Sequence, residues 1–302
     1  MGWWLGLGLG LMVGWAGMGV AVGGPRLVER AVIDHPELTE ISGMAASRLR
    51  ADTVWVVNDS GHGPRVYAID RQGRSLGSAE VGEASNRDWE DLASFVWRGR
   101  SYLAIADIGD NRGRRSRVSI YIVPEPRFKG GRVAEGRVVP VRTVVFTYPD
   151  GPRDAEGLGV DVQRERFVVL SKRERVPTFY EVPLGLGRER GPFVARPVGR
   201  WRSPSVVGRL FIRSPESAPL VAQMPTGLDL APDGRSLVVL DYLRVWWFRG
   251  VGRELPGEQV EALPLHGLDQ AEAVCFSADG REVWVTTEGH PAPLLIYRLP
   301  GE

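Results

Sequence analysis

A three-part phrase occurs five times in this chain, and no other feature restricts the fold as much. Its first part is a short segment headed by a polar residue: Ser42-Gly-Met, Glu90-Asp-Leu, Glu156-Gly-Leu, Thr226-Gly-Leu and Glu272-Ala-Val. The second is an apolar run that ends on a polar residue: Trp55-Val-Val-Asn58, Ala104-Ile-Ala-Asp107, Val168-Val-Leu-Ser171, Val238-Val-Leu-Asp241 and Trp284-Val-Thr-Thr287. The third pairs an apolar residue with an aromatic one: Val66-Tyr67, Ile120-Tyr121, Phe179-Tyr180, Val245-Trp246 and Ile296-Tyr297. Short strands returning in fixed order, at intervals of roughly 50 to 70 residues, describe units that bury their faces only against their neighbours. That pattern predicts an all-β radial array, a β-propeller.

Turn signals divide each unit further. Arg98-Gly-Arg100, Pro232-Asp-Gly234 and Ala278-Asp-Gly280 are tight links between the first and second strands. A fourth strand is expected at 74–81, 141–148, 193–200 and 258–265. The fifth unit reaches the end of the chain without one, and residues 26–33 read as the missing strand. Pairing them with the last unit would close the ring and leave no open edge. The expectation is five four-stranded blades, with six as the alternative if Leu210-Phe-Ile212 belongs to a degenerate blade.

Composition narrows the functional classes. A hydrophobic content of 43% fits a buried core, and a formal charge of +1 gives no general pull toward nucleic acid or a membrane surface. Cys275 is the one cysteine, so no internal disulfide and no thiolate cluster can form. Trp3 to Val22 carry no charge and end near Ala21-Val22-Gly23, a pattern a signal peptidase accepts, although no Lys or Arg precedes Arg26. Residues 1–23 are therefore expected to be a signal peptide or an N-terminal membrane anchor, and 24–302 the propeller. This places the protein in the periplasm, in the medium or on the outside of a membrane, as a monomer whose only membrane contact is the N-terminal segment.

Chemistry concentrates at one end of the units. In an antiparallel hairpin the start of the first strand and the end of the second lie together. The starts carry Asp88 and Glu90, Asp154 and Glu156, and Glu272; the ends carry Asn58, Asp59, Asp107, Asp110, Asp241 and Glu288. First strands line the channel of a propeller, so these groups converge on one mouth. Crowded anions raise each other's pKa, and a hard divalent cation relieves that conflict. The all-oxygen set Asn58, Asp88, Glu90, Asp107, Asp154, Glu156, Asp241 and Glu272 predicts Ca2+. Asp59-Ser-Gly61 and Asp110-Asn111 fit loop capping equally well.

Further polar residues flank this mouth. His62 and His290 fall in equivalent loops of the first and fifth units and are candidates for metal binding or proton transfer. Arg112 and Lys172 belong to basic clusters suited to an anionic substrate. No Ser-x-x-Lys or His-Glu-x-x-His motif occurs, and the Gly-x-Ser-x-Gly match Gly73-Arg-Ser-Leu-Gly77 falls in the expected fourth strand 74–81 rather than at a strand-to-helix turn, which leaves nucleophilic serine catalysis without support.

At Asn58-Asp-Ser-Gly61, Asp88-Trp-Glu-Asp91, Asp107-Ile-Gly-Asp-Asn111 and Tyr148-Pro-Asp-Gly-Pro-Arg-Asp-Ala-Glu-Gly157, the chain resembles a family of exported bacterial β-propeller proteins. That family is similar at blade level to β-propeller phytases and calcium-dependent propeller hydrolases. The resemblance spans about residues 38–300 and implies acidic residues at the channel mouth with bound Ca2+. It does not carry phytase activity across, because Lys occurs only at positions 129 and 172 and a Lys-rich phosphate site is not recognisable. Two functions follow as expectations: a metal-dependent hydrolase of a small anionic phosphoester or ester, or a non-catalytic envelope scaffold with a structural metal and a protein partner.

Overall fold

The computed structural model describes residues 24–187, 191–202, 224–265, 267–268 and 270–301. The expected N-terminal segment and the Leu210–Ile212 piece lie outside those residues. Within them the chain is all β, with five small sheets in a ring. Their innermost strands are Ile41–Ala46, Trp89–Trp97, Ala155–Asp161, Pro225–Leu230 and Ala271–Phe276. Each packs against the next around the ring, and the last returns to the first. The fold is a five-bladed β-propeller.

The ring closes as the sequence suggests. Arg26–Ile33 pairs antiparallel with Ala292–Arg298, so the outermost strand of blade five comes from the start of the domain. Neighbouring blades bury five separate apolar clusters, one at each interface. Trp55, Trp89, Trp247 and Trp284 are almost completely enclosed in three of them. An indole of this kind removes 150–250 Å² from water, a gross gain of about 4–6 kcal/mol before ordering costs. These indoles are therefore wedges that fix the spacing between blades.

One outer strand departs from expectation. Residues 193–200 do not form a single strand of blade three: Arg196–Arg200 does, while Phe193–Val194 runs parallel to Phe146–Thr147 of blade two. In the same way Arg137–Val138 covers Glu80–Val81 at the edge of blade one. Each insertion supplies hydrogen bonds to an edge that would otherwise be open.

One irregularity recurs in every inner strand. The pairing register slips between Ile41 and Gly43, Trp89 and Asp91, Ala155 and Gly157, Pro225 and Gly227, and Ala271 and Ala273. The residues left out of register are Ser42, Glu90, Glu156, Thr226 and Glu272, the heads of the repeated phrase. A bulge re-aims the extra side chain and sharpens the local twist. At Gly43 the inner strands approach so closely that a Cβ would sit 2.6 Å from the backbone of Asp91 and Leu92.

Candidate metal centre at the channel mouth

Five equivalent bulges present five side chains to one mouth, and the blades use them in two ways. Ser42 and Thr226 bond to the next blade: Ser42 Oγ donates to the Trp89 carbonyl at 2.7 Å, and Thr226 Oγ1 to the Ala271 carbonyl at 2.7 Å. Their short hydroxyls tie blade one to two and blade four to five. Glu90, Glu156 and Glu272 instead bring three carboxyls together from blades two, three and five, all buried.

Two overlapping groups of acids follow. Ligand atoms of Asp59, Asp88 and Glu90 lie within 4.8 Å of one another, as do those of Glu90, Asp154 and Glu156. Glu90 belongs to both groups. Its carboxyl is 5% exposed and has no hydrogen bond or ion pair among the described residues. Gly109 makes the arrangement possible, since a Cβ there would lie 2.0 Å from Glu90 Oε1 and 2.6 Å from the Asp88 carboxyl carbon.

The cations nearby are committed to other acids. Lys172 Nζ sits 2.9 Å from Glu156 Oε1, Arg173 Nε donates to Asp154 Oδ2 at 2.7 Å, and Arg115 pairs with Asp107 at 2.7 Å. Lys172 also lies 5.2 Å from the Tyr242 ring centroid. Burial alone would lower the Lys172 pKa, but Glu156, Glu272 and Tyr242 hold it above its ordinary value and keep the ammonium charged.

Burial first, and crowding second, shift the acids upward. Burial, and then Glu156, Asp59 and Asp88, push Glu90 well above the carboxylate range. Burial raises Glu272 to about 9; Lys172 opposes this, while Glu156, Glu288 and Asp59 reinforce it. Asp88 rises to about 6, chiefly through burial and then Asp59 and Asp154, with Arg115 pulling the other way. Without a cation, Glu272 holds its proton at neutral pH.

The remaining candidates are placed differently. Asp241 is turned back on its own loop, where it accepts from the Leu243 and Arg244 amides at 2.8 Å each and from Trp246 Nε1 at 2.7 Å. Asn58 holds the preceding loop, accepting from the Glu40 amide at 3.3 Å and donating to the Glu37 carbonyl at 2.6 Å. His62 bonds Thr39 Oγ1 at 3.1 Å and faces Glu40 at 3.4 Å, whereas His290 pairs with Asp34 at 3.0 Å. The two histidines thus have separate partners rather than a shared site.

Arg112 is exposed, and the buried member of its cluster is Arg115. Asp110 decides this by accepting from the Arg114 and Arg115 amides at 2.9 and 2.6 Å, which folds Arg115 inward. The reading of Asp110 as a loop cap describes its observed bonds. Asp59, Arg115, Arg173, Tyr242 and Glu288 are the neighbours of the site that the candidate set omits. Asp59 adjoins Asn58 and Arg173 adjoins Lys172, and a one-residue change of register decides which of two neighbours faces the mouth.

A further acid closes the channel beneath the site. Asp91 is fully buried and accepts from the amides of Leu92 at 2.8 Å, Leu158 at 2.7 Å and Leu228 at 3.2 Å, joining blades two, three and four. A scan against protein-family models finds no match, and neither does a search of curated proteins. The acidic motifs alone carry the resemblance described above.

Proposed function

We propose that this chain is a propeller that binds a divalent cation at the channel mouth, Ca2+ before other ions, and uses it to act on a small anionic ester. The observation that carries this reading is Glu90: buried, unpaired among the described residues, and shared by two clusters of acid oxygens. Burying a carboxylate without a partner is costly enough that the group either keeps a proton or meets a cation. The surrounding donors are carboxylate oxygens, without Cys or His, which suits a hard ion. Glu90, Asp88, Asp59, Asp154 and Glu156 are the residues that would hold it.

When bound, such an ion supplies Lewis-acid polarisation of a phosphoryl or ester oxygen. The chain's own residues account for the rest of the reading. Asp88 is half-buried and lies at the edge of the acid group, where its carboxylate is the residue best placed to orient an attacking water. Arg173, half-exposed beside Asp154, is placed to hold an anionic substrate. Hydrolysis of a phosphoester or carboxylic ester panel, with and without chelator, tests the proposal. Chelator-sensitive turnover that disappears in Glu90→Gln while circular dichroism is unchanged is the expected result.

A specific observation favours a second reading, a non-catalytic scaffold. Three pairs, Lys172–Glu156, Arg173–Asp154 and Arg115–Asp107, already seal part of the mouth. Cation binding without turnover on any ester would leave this reading alone.

A further inference from the structure

The opposite end of the channel carries different chemistry. Where the inner strands finish and turn into the second strands, a cavity of about 440 Å³ opens, and every blade contributes to its wall. The lining is mainly apolar, with Phe95, Val160, Val162, Leu230 and Pro232 around it and the half-exposed Val96 at its rim. Its size falls in the range of small-molecule sites. None of the grouped acids of the mouth lines this cavity, and the amide-bonded Asp91 stands on the inner strand between Glu90 and Phe95.

One cation stands in that wall. The backbone amide of Arg48 is anchored on Glu125, at 3.2 and 3.1 Å from its two oxygens. Its guanidinium is held by three neutral acceptors: Ser94 Oγ at 2.9 Å, the Ser94 carbonyl at 3.1 Å and the Ala278 carbonyl at 3.3 Å. Three of its five N–H groups are thereby engaged, and two are left for a ligand. Among the described residues no carboxylate forms an ion pair with it, in contrast to Arg71, Arg115, Arg153 and Arg166. The nearby Asp229 is turned toward blade five, where it accepts from the Phe276 amide at 2.8 Å.

A fixed, half-buried guanidinium with no carboxylate in ion-pair contact among the described residues, set in an apolar cavity, asks for an anion that brings its own hydrocarbon. We infer that this end of the channel is a binding site for a small monocarboxylate with an aliphatic body, its carboxylate on Arg48 and its chain against Phe95, Val160 and Leu230. A single guanidinium matches one negative charge better than the two of a phosphate monoester, and besides Arg48 and Ser94 the one polar side chain of the lining is Gln163, whose amide donates to the Asp233 carbonyl at 2.9 Å.

Titration calorimetry with octanoate tests this on the full protein, with octan-1-ol and inorganic phosphate as controls. Octanoate should bind, octan-1-ol should bind roughly tenfold or more weakly, and phosphate should not compete. Arg48→Gln keeps donors for Ser94 and Ala278 but removes the charge, and should weaken octanoate by roughly ten- to a hundredfold. Val96→Trp, a change at an exposed position, should block the cavity rim and abolish octanoate binding while the calcium-dependent melting shift stays intact. Absence of octanoate binding to the folded protein, equal affinity for octan-1-ol, or competition by phosphate would each overturn the inference. So would octanoate binding that neither variant alters.

Discussion

Lys172 and Glu156 form a buried ion pair, 2.9 Å from Nζ to Oε1, at the point where blade three meets the channel mouth. Both side chains are less than a tenth exposed; Glu156 stands at the start of one strand of the hairpin and Lys172 just past the end of the other. A pair of this kind gains little over two apolar residues, but removing one partner strands the other. Lys172→Met should therefore destabilise the protein by about 3–5 kcal/mol. The double variant Lys172→Met/Glu156→Gln should recover much of the loss. Chemical denaturation of the three proteins reads this, and a single variant as stable as the parent would argue against the pairing.

Gly109 is the residue whose absent side chain shapes the site. Gly109→Ala would drive a methyl group into the Glu90 and Asp88 carboxyls while leaving the strands of blade two intact. Calcium affinity should fall by at least roughly tenfold with little change in the circular dichroism spectrum. Isothermal titration of the parent and variant compares the two affinities directly.

Asp229 gives a pH dependence that does not involve the mouth. Burial raises its pKa to about 7, against the Phe276 amide bond and the Arg48 charge, both of which lower it. The folded state holds this proton more tightly than the unfolded chain, whose value is 3.8. Its stabilising contribution is thus complete below about pH 4 and is lost as pH rises toward 7. Asp229→Asn keeps an acceptor for Phe276 and removes the titration. Melting temperature plotted against pH should fall less steeply between 4 and 8 in the variant than in the parent, and the variant should be the more stable of the two at pH 8.

The ring itself was legible because it rests on repetition. Alternating apolar residues, turn dipeptides and a spare first strand specify five hairpin-based units and their closure without reference to any single contact. Glu90, Glu156 and Glu272 were legible for the same reason, since each heads the same phrase and each proves to be the residue displaced by a bulge. The bulge itself left no mark in the sequence, because it depends on how the inner strands crowd around the axis.

The rest of the site depends on loop geometry. Asp107 and Asp241 occupy equivalent strand ends, yet Asp107 reaches Arg115 while the short turn after Asp241 folds its carboxylate onto Trp246. Arg112 and Arg115 are indistinguishable by composition, and the Asp110 cap separates them. Asp91 sits inside an apolar strand, where alternation alone gives no reason to expect a carboxyl that takes three amides from three blades.

A cation is proposed to meet the excess of carboxyls at the mouth of the channel. Thermal melting of the purified protein in calcium and in chelator, alongside calorimetric titration of the metal-free form, measures this most directly. Calcium should bind and raise the melting temperature of the parent, and Glu90→Gln should lose both responses while remaining folded in chelator. A parent protein that takes up no calcium, or a Glu90→Gln variant that responds as the parent does, would contradict it.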